Sequence, residues 1–105
     1  MKILLVVSGS VAAFKALLFV RLARAAGHEV QAILTQGGAR FVTREALAAI
    51  TGRPVHQDLW AAEESIGHIR LARWPDAVVV APASANLLAR MAHGMTTDLA
   101  STVLL

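Results

Sequence analysis

The sequence predicts a doubly wound α/β domain on a parallel sheet, and three observations carry that prediction. Short apolar runs recur along the chain and alternate with longer segments of helical period. The runs are continuous rather than alternating, the pattern of strands covered on both faces. Each run ends in a cluster of small and hydroxyl residues and is followed by a helix, so successive strands are joined by crossovers and lie parallel.

In chain order, residues 2–8 form a first buried strand. Its five consecutive apolar residues reach a Ser-Gly-Ser turn too soon for a secretion signal, and no small-residue cleavage pattern follows. Residues 11–26 carry Leu17, Leu18, Leu22 and Ala25 at helical spacing, and Gly27 ends that helix. Residues 29–35 form a second strand and residues 38–50 a second helix, closed by Thr51-Gly52-Arg53-Pro54. Residues 55–57 are a short third strand, residues 58–73 mix loop and helix, and residues 77–81 form a strand buried on both faces. A helix follows over residues 85–92, and residues 96–105 begin another, capped near Thr96 with Asp98 in its first turn. Three or four strands fall short of the five usual for a complete sheet of this class. The expectation is therefore one domain over residues 1–105, the N-terminal part of an incomplete fold.

The composition, 56% hydrophobic and 16% charged, is more apolar than a solvated layer domain needs, which points to surface buried against other subunits. The longest apolar runs, residues 3–7 and 77–82, are far below the roughly 20 residues that span a bilayer, so a soluble, cytoplasmic protein with no membrane partner is expected. With no cysteine there is no disulfide framework and no thiolate metal site. The net charge of +3 comes from scattered basic residues without a run or interleaved aromatics, which argues against nucleic acid. The four histidines lack metal-ligand spacing, so no metal is expected.

The strand ends place Ser8-Gly9-Ser10, Thr35-Gln36-Gly37-Gly38 and Pro82-Ala83-Ser84-Ala85-Asn86 along one sheet edge, where ligands of doubly wound domains bind. Free amides at a strand-to-helix turn favour an anion. The dinucleotide fingerprint fails, because Gly9-Ser10-Val11-Ala12-Ala13-Phe14 supplies only the first of its three glycines. The Walker pattern fails too, with Lys15 a full turn into the helix, and a mononucleotide such as FMN is left. Each loop taken singly also reads as a plain helix cap. His68, after Gly67, is the one histidine in a setting that suggests chemistry, although a surface or capping role fits the same local sequence. His28 and His56 read as surface or loop residues, and His93 as a cap on the helix ending at Gly94.

Taken together, Ser8-Gly9-Ser10-Val11-Ala12-Ala13-Phe14-Lys15, Gly67-His68-Ile69 leading into Leu71-Ala72-Arg73-Trp74-Pro75-Asp76, and Ala81-Pro82-Ala83-Ser84-Ala85-Asn86 resemble the homo-oligomeric flavin-containing cysteine decarboxylases. The resemblance covers essentially the whole chain. It implies a flavodoxin-like fold, FMN as cofactor, and decarboxylation of phosphopantothenoylcysteine to phosphopantetheine in coenzyme A biosynthesis. It also implies that Gly9, Ser10 and Val11, with Ser84, Ala85, Asn86 and Leu87, hold the phosphate and ribityl groups, and that Thr35 and Phe41 lie near the flavin. His68 is implied as the acid or base of decarboxylation, in a homo-oligomer, a trimer or dodecamer, with FMN at subunit contacts. Two departures stand out. The family usually has Thr where Leu87 stands, and its Pro-x-Met-Asn motif and reactive cysteine fall beyond residue 105, so this segment alone is expected to bind flavin weakly and to be inactive. The alternatives are a flavin prenyltransferase, which the first loop and the His-Ile-x-Leu-x-Arg-Trp segment match less well, and a non-catalytic FMN-binding regulatory subunit.

Overall fold

A computed structural model describes residues 1–57, 64–94 and 103–104, with the backbone alone for residues 64–68 and Arg90. Strand β1, Lys2–Val7, is the centre of the sheet. It pairs in parallel with β2, Glu29–Leu34, from Lys2 opposite Glu29 to Val7 opposite Leu34. On its other side it pairs in parallel with β3, Ala77–Val80, from Ile3 opposite Ala77 to Val6 opposite Val80. The order β2-β1-β3 has the chain move outward from β1 to β2 and then cross back to the far side of β1. That reversal makes a topological switch point between β1 and β3.

The period of two along β1 divides the core. Ile3, Leu5 and Val7 face one cluster with Ala13, Ala16, Val20, Val30, Ala32, Leu34 and Leu47, supplied by α1, Lys15–Ala25, and α2, Arg44–Thr51. Leu4 and Val6 face a second cluster with Ile33, Leu71, Leu87 and Val103, supplied in part by α3, Glu64–Arg73, and α4, Ala85–Ala92. Helices therefore cover both faces, as the continuous apolar run of β1 requires.

The expected elements recur with local differences, each with a physical reason. The helix expected over residues 11–26 begins as a 3-10 turn, Val11–Phe14, because the Ser10 hydroxyl accepts from Ala12 N at 3.2 Å and the Ser10 carbonyl accepts from Ala13 N at 2.9 Å. The helix expected over residues 38–50 splits into a 3-10 turn, Gly38–Arg40, and α2, which restarts where the Thr43 hydroxyl accepts from Ala46 N at 3.0 Å. Gly52, at φ 70°, closes α2 in the left-handed region. The short strand expected at residues 55–57 is a single parallel bridge, His56 to Ile33, preceded by Pro54, which has no amide to donate. The strand expected to be buried on both faces at residues 77–81 is only partly buried, with Val78 45% exposed. It is an outer strand of the sheet among the described residues, and its continuous apolar run does not distinguish an outer strand from a central one. Residues 58–63 and most of the helix expected over residues 96–105, with Thr96 and Asp98, lie outside the described residues. Among the described residues, no helix is long and apolar enough to cross a membrane.

The bridge at His56 has a consequence for acid stability. Its Nε2 lies 3.0 Å from Gln31 Oε1, and burial, with a lesser contribution from the Arg44 guanidinium, holds the imidazole below its ordinary value of 6.5. The unfolded chain then takes up this proton first as pH falls, so the stability His56 supports is intact above 6.5 and is lost as pH drops through 6.5 towards the lower folded-state value. Denaturant titrations between about pH 7.5 and about pH 5 are expected to show a slope with acid that His56→Gln reduces, since glutamine takes up no proton.

Candidate functional site

The three loops that follow the strands are fastened to one another through the end of β1. Ser8, directly after β1, is 1% exposed. Its hydroxyl accepts from Ser84 N at 2.7 Å and donates to the Pro82 carbonyl, which also takes the Ser8 amide at 3.2 Å. The first and third loops, 76 positions apart in sequence, thus meet on one side chain. The second loop is joined through Thr35, whose amide donates to the Val7 carbonyl at 3.0 Å and whose hydroxyl accepts from Gly38 N at 3.0 Å. Glycine is required at these seams. A Cβ on Gly38 would overlap the Val7 carbonyl oxygen, and one on Gly9 would stand 3.1 Å from the Gly37 backbone.

This packing leaves amides pointing outward. Among the described residues, the backbone N–H groups of Gly9, Ser10, Val11, Ala85 and Asn86 have no protein acceptor. The Ser84 hydroxyl caps α4 by accepting from Leu87 N at 3.1 Å, so the first two amides of that helix stay free. Two sets of unpaired donors, each backed by the positive end of a helical turn, flank the switch point between β1 and β3, an arrangement suited to a phosphate group. Val11, Phe14 and Phe41 are exposed beside the first two loops and offer apolar surface at the same edge.

The sequence-predicted residues separate into groups. Gly9, Ser10, Val11, Ser84, Ala85 and Asn86 belong to the two facing loops, and Ser10 and Ser84 already use their hydroxyls as caps. Thr35 is buried with its hydroxyl on Gly38 N, and Phe41 stands at the rim. Leu87 points inward, wholly buried against Leu4, Val6, Ile33 and Leu71. The side chain of His68 lies outside the described residues. Its backbone is in α3, three positions before the buried Leu71. Sequence reasoning read Ser8 as the last residue of the first strand and the start of the candidate phosphate loop, and not as the residue that ties that loop to the third.

The opposite edge of the sheet is closed by its own charges. The Asp76 carboxylate accepts from Lys2 N at 2.8 Å, Arg53 pairs with Glu29 at 2.9 Å, and Arg24 donates to the Ile50 carbonyl at 2.8 Å. Lys2 and Arg53 lie 5.9 and 5.3 Å from the Trp74 ring centre. A cleft of about 610 Å³ lies here, lined by Arg24, His28, Glu29 and Arg53 among others, but both arginines are already engaged. Trp74, part of the motif that carried the family resemblance, therefore belongs to this edge and not to the loops.

Fold and loops together define a flavodoxin-like domain whose switch point is flanked by main-chain amides without an acceptor among the described residues. The Flavoprotein family model matches residues 1–105, and the chain belongs to that family. It is 46% identical over 106 aligned residues to the coenzyme A biosynthesis bifunctional protein CoaBC of Vibrio vulnificus strain YJ016, covering 99% of this chain and 26% of that protein. Among solved structures it is similar to the FMN-dependent cysteine decarboxylase TvaF from thioviridamide biosynthesis, with 27% identity and a TM-score of 0.90 over 99% of this chain and 65% of that one. It is also similar to a cysteine-to-serine mutant of PPC decarboxylase complexed with pantothenoylaminoethenethiol, with 29% identity and a TM-score of 0.75 over 98% of this chain and 58% of that one. The chain thus spans about a quarter of the length of the CoaBC relative and roughly three fifths of these structural neighbours.

Because the loops meet through Gly38, Gly38→Ala is expected to destabilise the fold by about 1–3 kcal/mol, the usual range for overpacking, measured by denaturant unfolding. A substitution without effect would mean that the seam between β1 and the second loop is loose.

Proposed function

We propose that this chain is the FMN-binding part of a phosphopantothenoylcysteine decarboxylase that acts in coenzyme A biosynthesis. The observation that carries the reading is the pair of loops with unpaired amides, Gly9, Ser10 and Val11 facing Ala85 and Asn86 across the β1/β3 switch point. The names of its relatives support the substrate. The residues present fit the cofactor: the amides of the two loops would hold the phosphate, and the exposed Val11, Phe14 and Phe41 would offer the ring an apolar wall. When bound, FMN supplies the reversible two-electron chemistry at the substrate thiol that makes loss of CO₂ possible.

His68 is assigned the proton transfer that accompanies decarboxylation, because it lies in the Gly67-His68-Ile69 segment that resembles the decarboxylases and an imidazole gives and takes protons near neutral pH. Leu87, wholly buried, contributes packing and not a ligand contact, so the family's hydroxyl at that position is not replaced here. The setting is a cytoplasmic homo-oligomer, a trimer or dodecamer. Val11, Phe14, Leu18 and Leu22 support the assembly, as large apolar side chains at helical spacing and all more than half exposed.

Two measurements test this reading. In a protein containing this segment, His68→Asn is expected to keep FMN and lose CO₂ release by about 100-fold or more, the range for a general acid or base. Unchanged turnover would remove His68 from the chemistry. Leu18→Glu is expected to lower the assembly state seen by sedimentation, and an unchanged distribution would move the interface elsewhere.

A further inference from the structure

We propose that Ser8 is the positioning residue that couples the two amide-bearing loops into one phosphate clamp. The proposal rests on the FMN reading above and goes beyond it, since Ser8 itself contacts no ligand. Three observations carry it. Ser8 is 1% exposed, so its hydroxyl is not available to a ligand. That hydroxyl is held from both directions, accepting from Ser84 N at 2.7 Å and donating to the Pro82 carbonyl, so it fixes the loop entering α4 at two points of its backbone. The partners are the residues flanking the free amides: Ser8 immediately precedes Gly9 and Ser10, and Ser84 immediately precedes Ala85 and Asn86.

An anion bridging two loops gains from both sets of donors only if their separation is set before it arrives, because otherwise binding must also order the loops. No other side-chain hydrogen bond joins the first loop to the third among the described residues. Replacing Ser8 with alanine removes both hydroxyl bonds, keeps only the backbone bond from Ser8 N to the Pro82 carbonyl, and leaves the Ser84 amide without its acceptor, so the N-terminus of α4 is less tightly held relative to Gly9. The cost should fall on the phosphate and not on the ring, whose apolar contacts lie with Val11, Phe14 and Phe41.

The test compares FMN with riboflavin, which has the same ring and ribityl chain and no phosphate. The wild-type chain is expected to bind FMN about 10- to 100-fold more tightly than riboflavin, the value of one or two charge-assisted hydrogen bonds. Ser8→Ala is expected to bring that ratio close to one while riboflavin affinity stays within about twofold, and Ser8→Thr, which keeps the hydroxyl, to restore it. A folded Ser8→Ala variant that keeps the wild-type ratio, or loses both ligands equally, overturns the coupling role and leaves the FMN reading standing. A protein containing this segment with its native sequence that takes up neither flavin overturns the FMN reading and this inference with it. If Ser8→Ala does not fold, amide exchange in the wild-type chain decides. Slow exchange at Ser84, slowed again by FMN and not by riboflavin, supports the clamp, and exchange at the rate of an open loop overturns it.

Discussion

The burial of β1 on all four sides is the constraint on which the rest of the structure depends. Strands pair with it on both edges and helices cover both of its faces, so Leu4, Leu5, Val6 and Val7 have no exposed surface. A strand in that position cannot slip by one residue without exchanging its two side-chain sets between the two cores. The ends of β1 are therefore fixed points. At one end its last carbonyl and the residue after it receive the second and third loops; at the other, Lys2 is held by Asp76.

The two ends use polar groups differently. Around Lys2, Glu29, Arg53, Trp74 and Asp76 the charges pair with each other, take a backbone amide or stand over an aromatic ring, so each has a partner within the protein. These pairs are exposed, so each adds little stability and their role is to close the sheet. At the loop edge the side-chain hydroxyls of Ser8, Ser10, Thr35 and Ser84 are spent on the protein's own backbone, and what remains for a ligand is a set of main-chain amides. Donors of that kind, rigidly held at helical turns, suit a phosphate and carry no charge that would need a partner in its absence. A site built on backbone also tolerates changes in neighbouring side chains, which suits a family whose members share the fold at modest identity.

Much of this was legible in the sequence because it depends on local pattern. The unbroken apolar run of β1 pointed to a buried strand of a parallel sheet, and the small residues after each strand pointed to the three loops. The features that escaped depend on long-range pairing. Ser8 looks like one more turn residue until the Ser84 amide, far away in sequence, is brought onto its hydroxyl. Leu87 stands beside Asn86 in sequence, but the helical period turns it into the core as Asn86 stays outside. Trp74 shares a motif with His68, but α3 separates them along its length and carries the tryptophan to the far edge. Val78 lies in an apolar run that reads as fully buried, and its position on an outer strand among the described residues is a property of topology.

The most direct test of the central claim is to follow the backbone amide resonances of this segment, within a protein that contains it, while FMN is added. The account predicts that the signals of Gly9, Ser10, Val11, Ala85 and Asn86 move together and saturate with one molecule of FMN per chain, while those around Arg24, Glu29 and Arg53 stay in place. Shifts confined to the arginine cleft, or no shifts at all, would contradict it.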